Sequence, residues 1–214
     1  MAAYTYNPDI FSVTTPGEAK EIILTEEAGV SSEERWVTET PYLAEIICDQ
    51  VALTTESVVL DYGCGIGRLA RELIARRNCF VIGVDISPPM RELARGYVDS
   101  DKFIACAPAT LDGLLARGLR ADAAISVWVL QHCLRPAQDV ARIRAALQPG
   151  SRFLLVNNFN RVVPTVEEAW TDDGIDIHAL VSEHFQPLEQ WRLDSAYVAP
   201  NLYDCAYWAT FSAT

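Results

Sequence analysis

The sequence predicts an α/β fold in one main domain, and three observations support this. The chain has 214 residues, the length of one domain with modest additions rather than two full domains. Half of the residues are apolar and 21% are charged, a composition typical of a globular protein. Beyond residue 40, short apolar runs alternate with segments of helical periodicity, which is typical of strands and helices in α/β order.

The first half of this pattern predicts three strands, each following or preceding a helix. Pro41 suits a first helical turn and Ser87 suits a helix N-cap before Pro88. In order, the predicted elements are a helix over 40–53, a strand over 57–61, a helix around 69–74, a strand over 80–84, a helix from 88 to about 97, a strand near 102–106 and a helix over 109–117.

The second half predicts the centre of the sheet and its far edge. The uncharged stretch from Ala123 contains a central strand that ends near Trp128. A helix follows Pro136 and is expected to stop at Pro149-Gly150, before a strand over 152–156. Two aromatic-rich runs, 188–193 and 205–211, predict a closing antiparallel pair.

Charge disfavours two classes of partner, and cysteine spacing disfavours disulfides and metal sites. The 17 basic and 29 acidic side chains give a net charge of −12, which repels nucleic acids and anionic membranes. The N-terminus lacks the pattern of a signal peptide and no segment suits a spanning helix, so we expect a cytoplasmic protein. The six cysteines include no CxxC pair, and we expect them to be reduced and no metal site to form.

The segment that indicates chemistry is the glycine-rich turn after the first core strand. Asp61 ends that strand, and Gly63, Gly65 and Gly67 follow it. Glycines allow a sharp turn and close approach of the backbone to a ligand. Asp85, 18 residues past Gly67, ends the next strand, where a carboxylate can accept both hydroxyls of a ribose. Together these residues predict a nucleoside pocket, the alternative being an ordinary strand-to-helix turn.

A dinucleotide site is less favoured by the same residues. The GxGxxG pattern would place its third glycine at position 68, where this chain has Arg68. An NAD-dependent oxidoreductase therefore remains only a third hypothesis.

At this point the chain resembles the class I S-adenosylmethionine-dependent methyltransferases, from about Leu43 to the C-terminus. Four segments carry the resemblance: VVLDYGCGIGRLA, VIGVDIS followed by Met90, ADAAISVWVLQHCLRP, and LQPGSRFLLV. It implies a Rossmann-like three-layer sandwich with a seven-stranded, mostly parallel sheet of order 3-2-1-4-5-7-6, whose last strand is antiparallel. The cofactor that it implies is S-adenosyl-L-methionine.

The resemblance also implies roles for individual residues. Gly63, Cys64, Gly65 and the backbone around Gly67 would hold the methionine part of the cofactor, with Asp61 nearby. Asp85 would bind the ribose, and Ile86 and Met90 would pack on the adenine. Ser126, Val127 and Trp128 would line the floor below the methyl group. Many members of the family have a carboxylate in the third motif that binds the adenine amino group, where this chain has Ala107. Either a backbone group replaces that carboxylate or the affinity for the cofactor is lower.

Several candidate residues also have structural explanations. Met90 at helical spacing suits a plain core position, and a nucleophilic role for Cys64 is less favoured than a structural one. His132 is the candidate catalytic base, although it suits a loop hydrogen bond better. Asn157, Asn158 and Arg161 follow the fifth strand, where substrate groups converge, but polar loops also serve solubility.

Two flanking segments are candidates for covering the site. Residues 1–40 form an N-terminal extension and possible lid, and 158–186 form a possible insertion within the main domain, 41–214. Their aromatic side chains and the carboxylates of Asp172, Asp173 and Asp176 would bind an amine-bearing acceptor. The alternative is that they form a solvated acidic surface with anchoring aromatics.

The sequence therefore predicts methyl transfer to a small-molecule acceptor, with protein side chains less favoured. A non-catalytic module that binds S-adenosylmethionine or a nucleoside is the alternative. The motifs describe the donor pocket, so the acceptor and the oligomeric state stay open.

Overall fold

A seven-stranded sheet organises the protein, whose computed structural model describes residues 4–214. The strand order is β3-β2-β1-β4-β5-β7-β6, as the sequence predicts. The strands are β1 (Val58–Tyr62), β2 (Phe80–Val84), β3 (Phe103–Cys106), β4 (Ala121–Val127), β5 (Leu147–Asn158), β6 (Phe185–Arg192) and β7 (Ala206–Ala213). The helices are α1 (Pro16–Ile23), α2 (Ser32–Gln50), α3 (Arg68–Arg77), α4 (Pro88–Val98), α5 (Pro108–Ala116), α6 (Pro136–Ala146), α7 (Ile177–Ser182) and α8 (Leu202–Cys205), with short 3-10 turns at Pro8–Phe11 and Leu130–His132.

Helices cover both faces of the sheet, giving the predicted three layers. The first five strands pair in parallel, and β7 pairs antiparallel with both β5 and β6. Successive strand residues point to opposite faces: Val59 packs in a core with α2, α3 and α4, and Leu60 packs in a second core with α5, α6 and α7. Because β1 pairs in parallel with β2 and β4, the carboxyl ends of these three strands lie at one edge of the sheet, between the two helical layers.

The predicted start of the first core helix at Thr40-Pro41 is wrong. α2 begins at Ser32, eight residues before Thr40, because Ser31 accepts a hydrogen bond from Glu34 N while the Glu34 carboxylate accepts one from Ser31 N. This capping box satisfies the first free amides of the helix. Pro41 lies inside α2 and is exposed, and the helix continues through it without the backbone hydrogen bond that a proline cannot donate.

The predicted stop at Pro149-Gly150 is also wrong. α6 ends at Ala146, since Leu147 is already extended and pairs with Ala121 of β4. Pro149 and Gly150 lie within β5, where the register of β5 against β4 shifts. A bulge of this kind accommodates a proline that would be excluded from a regular central strand.

The two flanking segments are joined to each other. Asn7 N donates to Pro164 O at 3.0 Å, Val166 N donates to Thr5 O at 2.9 Å, and Tyr6 forms an antiparallel bridge with Thr165. Two stretches far apart in the chain thus form one layer, which we call the strap (residues 4–11 and 162–174).

The capping box predicts a measurable cost for Ser31→Ala. Loss of an N-cap hydroxyl costs about 1 kcal/mol, so the thermal unfolding midpoint should fall by about 2–4 °C in a domain of this size. Ser32→Ala is the matched control, because Ser32 lies inside the helix. Equal effects of the two substitutions in a calorimetric scan would contradict the assigned helix start.

Candidate functional site

A cavity of about 340 Å³ lies at the carboxyl ends of β1, β2 and β4, a volume that suits a small ligand. The strap, α1, and the chain between β4 and the first turn of α6 complete its walls. It is lined by Tyr6, Phe11, Ile22, Ile23, Tyr62, Gly63, Gly65, Val84, Asp85, Ile86, Met90, Pro108, Val127, Trp128, Val129, His132, Cys133, Leu134, Arg135, Gln138 and Asp139.

The glycine loop, residues 63–67, turns the chain from β1 into α3 beside this cavity. Gly63 has φ 85°, and a Cβ there would lie 2.1 Å from Cγ2 of Val129. Gly63 N and Cys64 N both donate to Val84 O, at 2.6 and 3.0 Å. Only glycine fits at position 63, since a side chain would meet both an unfavourable φ and a filled volume.

Asp85 connects the end of β2 to the glycine loop. Its Oδ2 accepts from Gly65 N at 2.8 Å and its Oδ1 accepts from Ser87 N at 2.8 Å. Burial raises the pKa of Asp85, and these backbone hydrogen bonds oppose the increase. Each carboxylate oxygen can accept a further hydrogen bond, so Asp85 remains able to bind two hydroxyl groups.

The end of β4 forms the floor of the cavity. Trp128 has φ 60°, which is uncommon for a residue with a side chain. Its backbone N–H donates to Val156 O at 2.9 Å. This bend takes the chain out of the sheet, so that Val127, Trp128 and Val129 all line the cavity.

The structure brings eight of the predicted site residues to the cavity and leaves six outside its lining. Those that line it are Gly63, Gly65, Asp85, Ile86, Met90, Val127, Trp128 and His132. Those that do not are Asp61, Cys64, Gly67, Ser126, Asn157 and Arg161.

Asp61 is buried beneath the glycine loop. Burial raises its pKa to about 7, the charge of Asp85 raises it too, and the positive charge of Arg68 opposes them. Arg68, itself buried in α3, is the cation that favours the charged form of Asp61.

His132 is held as a neutral ring. Its Nδ1 lies 2.6 Å from Val162 O and its Nε2 lies 3.3 Å from Gln131 Nε2, so Nδ1–H donates to the carbonyl and Nε2 accepts from the amide. Burial lowers its pKa to about 4. With both nitrogens bonded, the ring connects the chain after β4 to the strap.

Arg161 and Asn157 bind the protein itself. The Arg161 guanidinium, only 1% exposed, donates to Asp173, to Leu130 O at 2.7 Å and to Cys133 O at 2.6 Å. Asn157 Oδ1 accepts from Gln131 N at 3.1 Å. Both side chains hold the 3-10 turn that carries His132.

Parts of the lining carry no pattern that predicts them from the sequence. Phe11 and Ile23 enter from the strap and from α1, and Gln138 and Asp139 enter from the first turn of α6. Of the aromatics that the sequence offered in the N-terminal flank, Tyr4, Tyr6 and Trp36, Tyr6 lines the cavity. Long-range packing brings Phe11, Ile23, Gln138 and Asp139 there, which a local pattern does not encode.

Known proteins share this arrangement. Residues 60–155 match the model of the methyltransferase domain family, a segment that includes the glycine loop, Asp85 and the bend after β4. Over this segment the chain is similar to the methyltransferase domain family, and its sheet order is the one that the Rossmann-like methyltransferase fold has.

Individual relatives and structures are similar to parts or all of the chain. Ubiquinone biosynthesis O-methyltransferases of Methylobacterium sp. and Methylocella silvestris are 30% and 32% identical over 96 and 106 residues, which cover 44% and 49% of this chain and 38% and 41% of those proteins. The chain therefore spans about two fifths of their length. A geranyl diphosphate C-methyltransferase from Streptomyces coelicolor superposes over 100% of this chain and 93% of its own, with a TM-score of 0.65 at 12% identity, and shares the fold.

S-adenosyl-L-methionine is the cofactor of this methyltransferase family, and the cavity fits it. A backbone turn that admits no Cβ at Gly63 and a carboxylate at Asp85 are the features that a nucleoside with a short tail requires. Within residues 4–214, no group of three His, Cys, Asp or Glu side chains is placed to hold a metal ion, and no helix there is long and apolar enough to cross a membrane.

Gly63→Ala is expected to abolish binding of S-adenosylhomocysteine in titration calorimetry. The left-handed conformation alone costs about 1–3 kcal/mol, and the new Cβ overlaps Val129. Gly96→Ala is the control, because a Cβ at Gly96 of α4 meets nothing within 4 Å and helical alanine is about 1 kcal/mol more favourable than glycine. Binding that survives Gly63→Ala unchanged would contradict the assigned loop geometry.

His132 is expected to stay neutral from pH 8 to pH 5. Its pKa of about 4 in the folded protein lies below the ordinary value of about 6.5, so the unfolded chain binds the proton first. His132 therefore lowers the stability of the fold as the pH falls from about 6.5 to 4. A proton NMR titration of the Hε1 resonance, assigned with His132→Asn, measures this, and a midpoint near pH 6.5 would contradict it.

Proposed function

We propose that this protein transfers the methyl group of S-adenosylmethionine to a neutral, largely apolar small molecule. The observation that carries the proposal is the 2.8 Å hydrogen bond between Gly65 N and the Asp85 carboxylate, which makes one site of the glycine loop and the end of β2. The cytoplasmic location predicted from the sequence is part of the same proposal, as is the absence of nucleic acid and membrane partners.

The residues of the glycine loop and of β2 would bind the donor. Asp85 would accept the two ribose hydroxyls, the backbone at Gly63 and Gly65 would approach the methionine part, and Ile86 and Met90 would pack on the adenine. Asp61, Cys64 and Gly67 would act from behind the loop by fixing its conformation. The neutral Ala107 leaves recognition of the base to backbone groups and to other walls of the cavity.

The donor supplies the activation for the reaction, because a sulfonium is a good leaving group. The protein then has to hold an acceptor atom about 3 Å from the methyl carbon, in line with the bond that breaks. Transfer to a neutral acceptor breaks the S–CH3 bond, forms the bond from the methyl carbon to the acceptor atom, leaves S-adenosylhomocysteine and releases a proton, which would pass to water. No general base is required for this step when the acceptor is already nucleophilic. The engaged nitrogens of His132 are therefore compatible with transfer, and we assign His132 to orienting the wall rather than to proton removal.

The chemistry of the remaining wall favours a neutral apolar acceptor. Phe11 and Tyr6 from the strap face the cavity together with Ile23, Trp128 and Val129. Aromatic and aliphatic walls bind apolar ligands by burial of their surface. The cavity lining contains two carboxylates, Asp85 and Asp139, and one cation, Arg135. Together with the net charge of −12, this excess of negative charge disfavours an anionic acceptor.

The carboxylates that suggested an amine-bearing acceptor bind the protein itself. Asp173 is paired with Arg161, with Nε and Oδ1 3.1 Å apart. Asp176 caps α7 through Ala179 N at 3.0 Å, and Asp172 accepts from Gly174 N at 2.9 Å. These carboxylates support the fold of the insertion, so they do not supply a cation site.

The strap would be the lid over the acceptor. The His132 ring packs between Phe11 and Trp170, with centroid distances of 6.0 and 5.2 Å. Aromatic contacts of this kind hold both strap segments against the chain that follows β4. Closure there would exclude water from the reacting atoms. Asn157 and Arg161 would contribute by supporting this layer.

Labelled methyl transfer tests the proposal. Incubation of the protein with methyl-labelled S-adenosylmethionine and a metabolite extract should give a labelled small molecule that partitions as a neutral compound. Asp85→Ala should remove the labelled product, because the ribose contact is lost. Label in the protein fraction would contradict the small-molecule acceptor. Binding of S-adenosylhomocysteine without any labelled product across extracts would support the non-catalytic binding module instead.

A further inference from the structure

A chain of polar side chains runs behind the wall of the cavity, on the α5 and α6 side of the sheet. Tyr62 Oη donates to Asp139 Oδ1 at 2.5 Å, and Arg142 Nη1 donates to the same oxygen at 3.0 Å. Arg142 Nε donates in turn to Asp112 Oδ1 at 2.8 Å. The chain links the end of β1 to α6 and then to α5.

Tyr62 is the residue through which this network reaches the site. It ends β1, immediately precedes Gly63, and is 4% exposed. Burial and the neighbouring Asp139 both raise the pKa of the Tyr62 phenol, so its hydroxyl stays protonated and donates. On the other side of the turn, the Val129 side chain occupies the space where a Cβ of Gly63 would lie. The first turn of the glycine loop is therefore fixed from two directions.

Burial alone does not require such a network. Tyr207 is 2% exposed and packs in the same core as Tyr62, and its hydroxyl has no hydrogen-bond partner among residues 4–214. The fold thus tolerates a buried tyrosine without a carboxylate. Asp139 and Tyr62 also both line the cavity, which places their hydrogen bond at the wall of the site.

Building on the proposed function, we propose that Asp139 is a positioning residue for cofactor binding. It acts through Tyr62: the Asp139 carboxylate fixes the Tyr62 hydroxyl, and Tyr62 fixes the start of the glycine loop that approaches the cofactor. Arg142 holds the Asp139 carboxylate in the orientation that accepts this bond, and Asp112 holds Arg142.

Titration calorimetry with S-adenosylhomocysteine tests the role of Asp139 in a double-mutant cycle. Tyr62→Phe and Asp139→Ala should each weaken binding by about tenfold, the typical effect of losing a hydrogen bond to a charged group. The double variant should bind about as weakly as either single variant, since both remove the same link. Tyr207→Phe is the matched control and should bind like the unchanged protein.

Two outcomes would overturn the proposal. If the double variant weakens binding by the product of the two single fold-changes in dissociation constant, Asp139 acts independently of Tyr62 and contacts the ligand directly. Unchanged dissociation constants, together with a lowered unfolding midpoint in the ligand-free variants, would mean that the network is merely structural. If Asp139→Ala does not fold, Asp139→Asn keeps the shape and removes the charge, and the same comparison applies with an expected loss of about threefold.

Failure of the proposed function would look different. In that case the unchanged protein itself would not bind S-adenosylhomocysteine. If the unchanged protein binds S-adenosylhomocysteine, the results with the variants test only the role of Asp139.

Discussion

The hydrogen bond from Gly65 N to the Asp85 carboxylate is the interaction on which the site depends. It joins the turn after β1 to the end of β2, two places that parallel pairing already brings to one edge of the sheet. Because the carboxylate is partly buried, the backbone amides that solvate it must hold their positions. A single partly buried carboxylate thereby orders both halves of the cavity.

The two residues that end β1 extend this order to both faces of the sheet. Asp61 lies in the layer of α3, where Arg68 lowers its pKa against the effect of burial. Tyr62 points the opposite way and is bonded to Asp139 of α6. Strand alternation thus places one polar side chain from the end of β1 in each helical layer. A loop whose start is fixed by such neighbours loses little conformational entropy when a ligand binds, which favours affinity.

The sequence predicted the parts of this arrangement that depend on local patterns. Strand and helix periods located the sheet, and glycines followed by Asp85 located the cavity. The helix start was misplaced because Pro41 is a strong local signal, whereas the capping box at Ser31 lies outside the apolar period that drew attention to the helix. Arg161 illustrates a further limit: an arginine after a strand suits a substrate and the carbonyls of a nearby turn equally well, and only tertiary contacts decide. Asp139 gave no signal at all, since it lies beside the apolar stripe of α6 and its partner is 77 residues away.

The strap has a consequence for the order in which the molecule is assembled. Its first segment, near Tyr6, pairs with Thr165, so the chain must close a loop of more than 150 residues before this contact forms. Contacts of such long range are costly in chain entropy and tend to form late. The cavity walls from β1, β2 and β4 do not depend on it. The part of the site that would bind the nucleoside can therefore fold before the strap closes over it. The strap is accordingly the part of the site that can change most readily to suit a different acceptor.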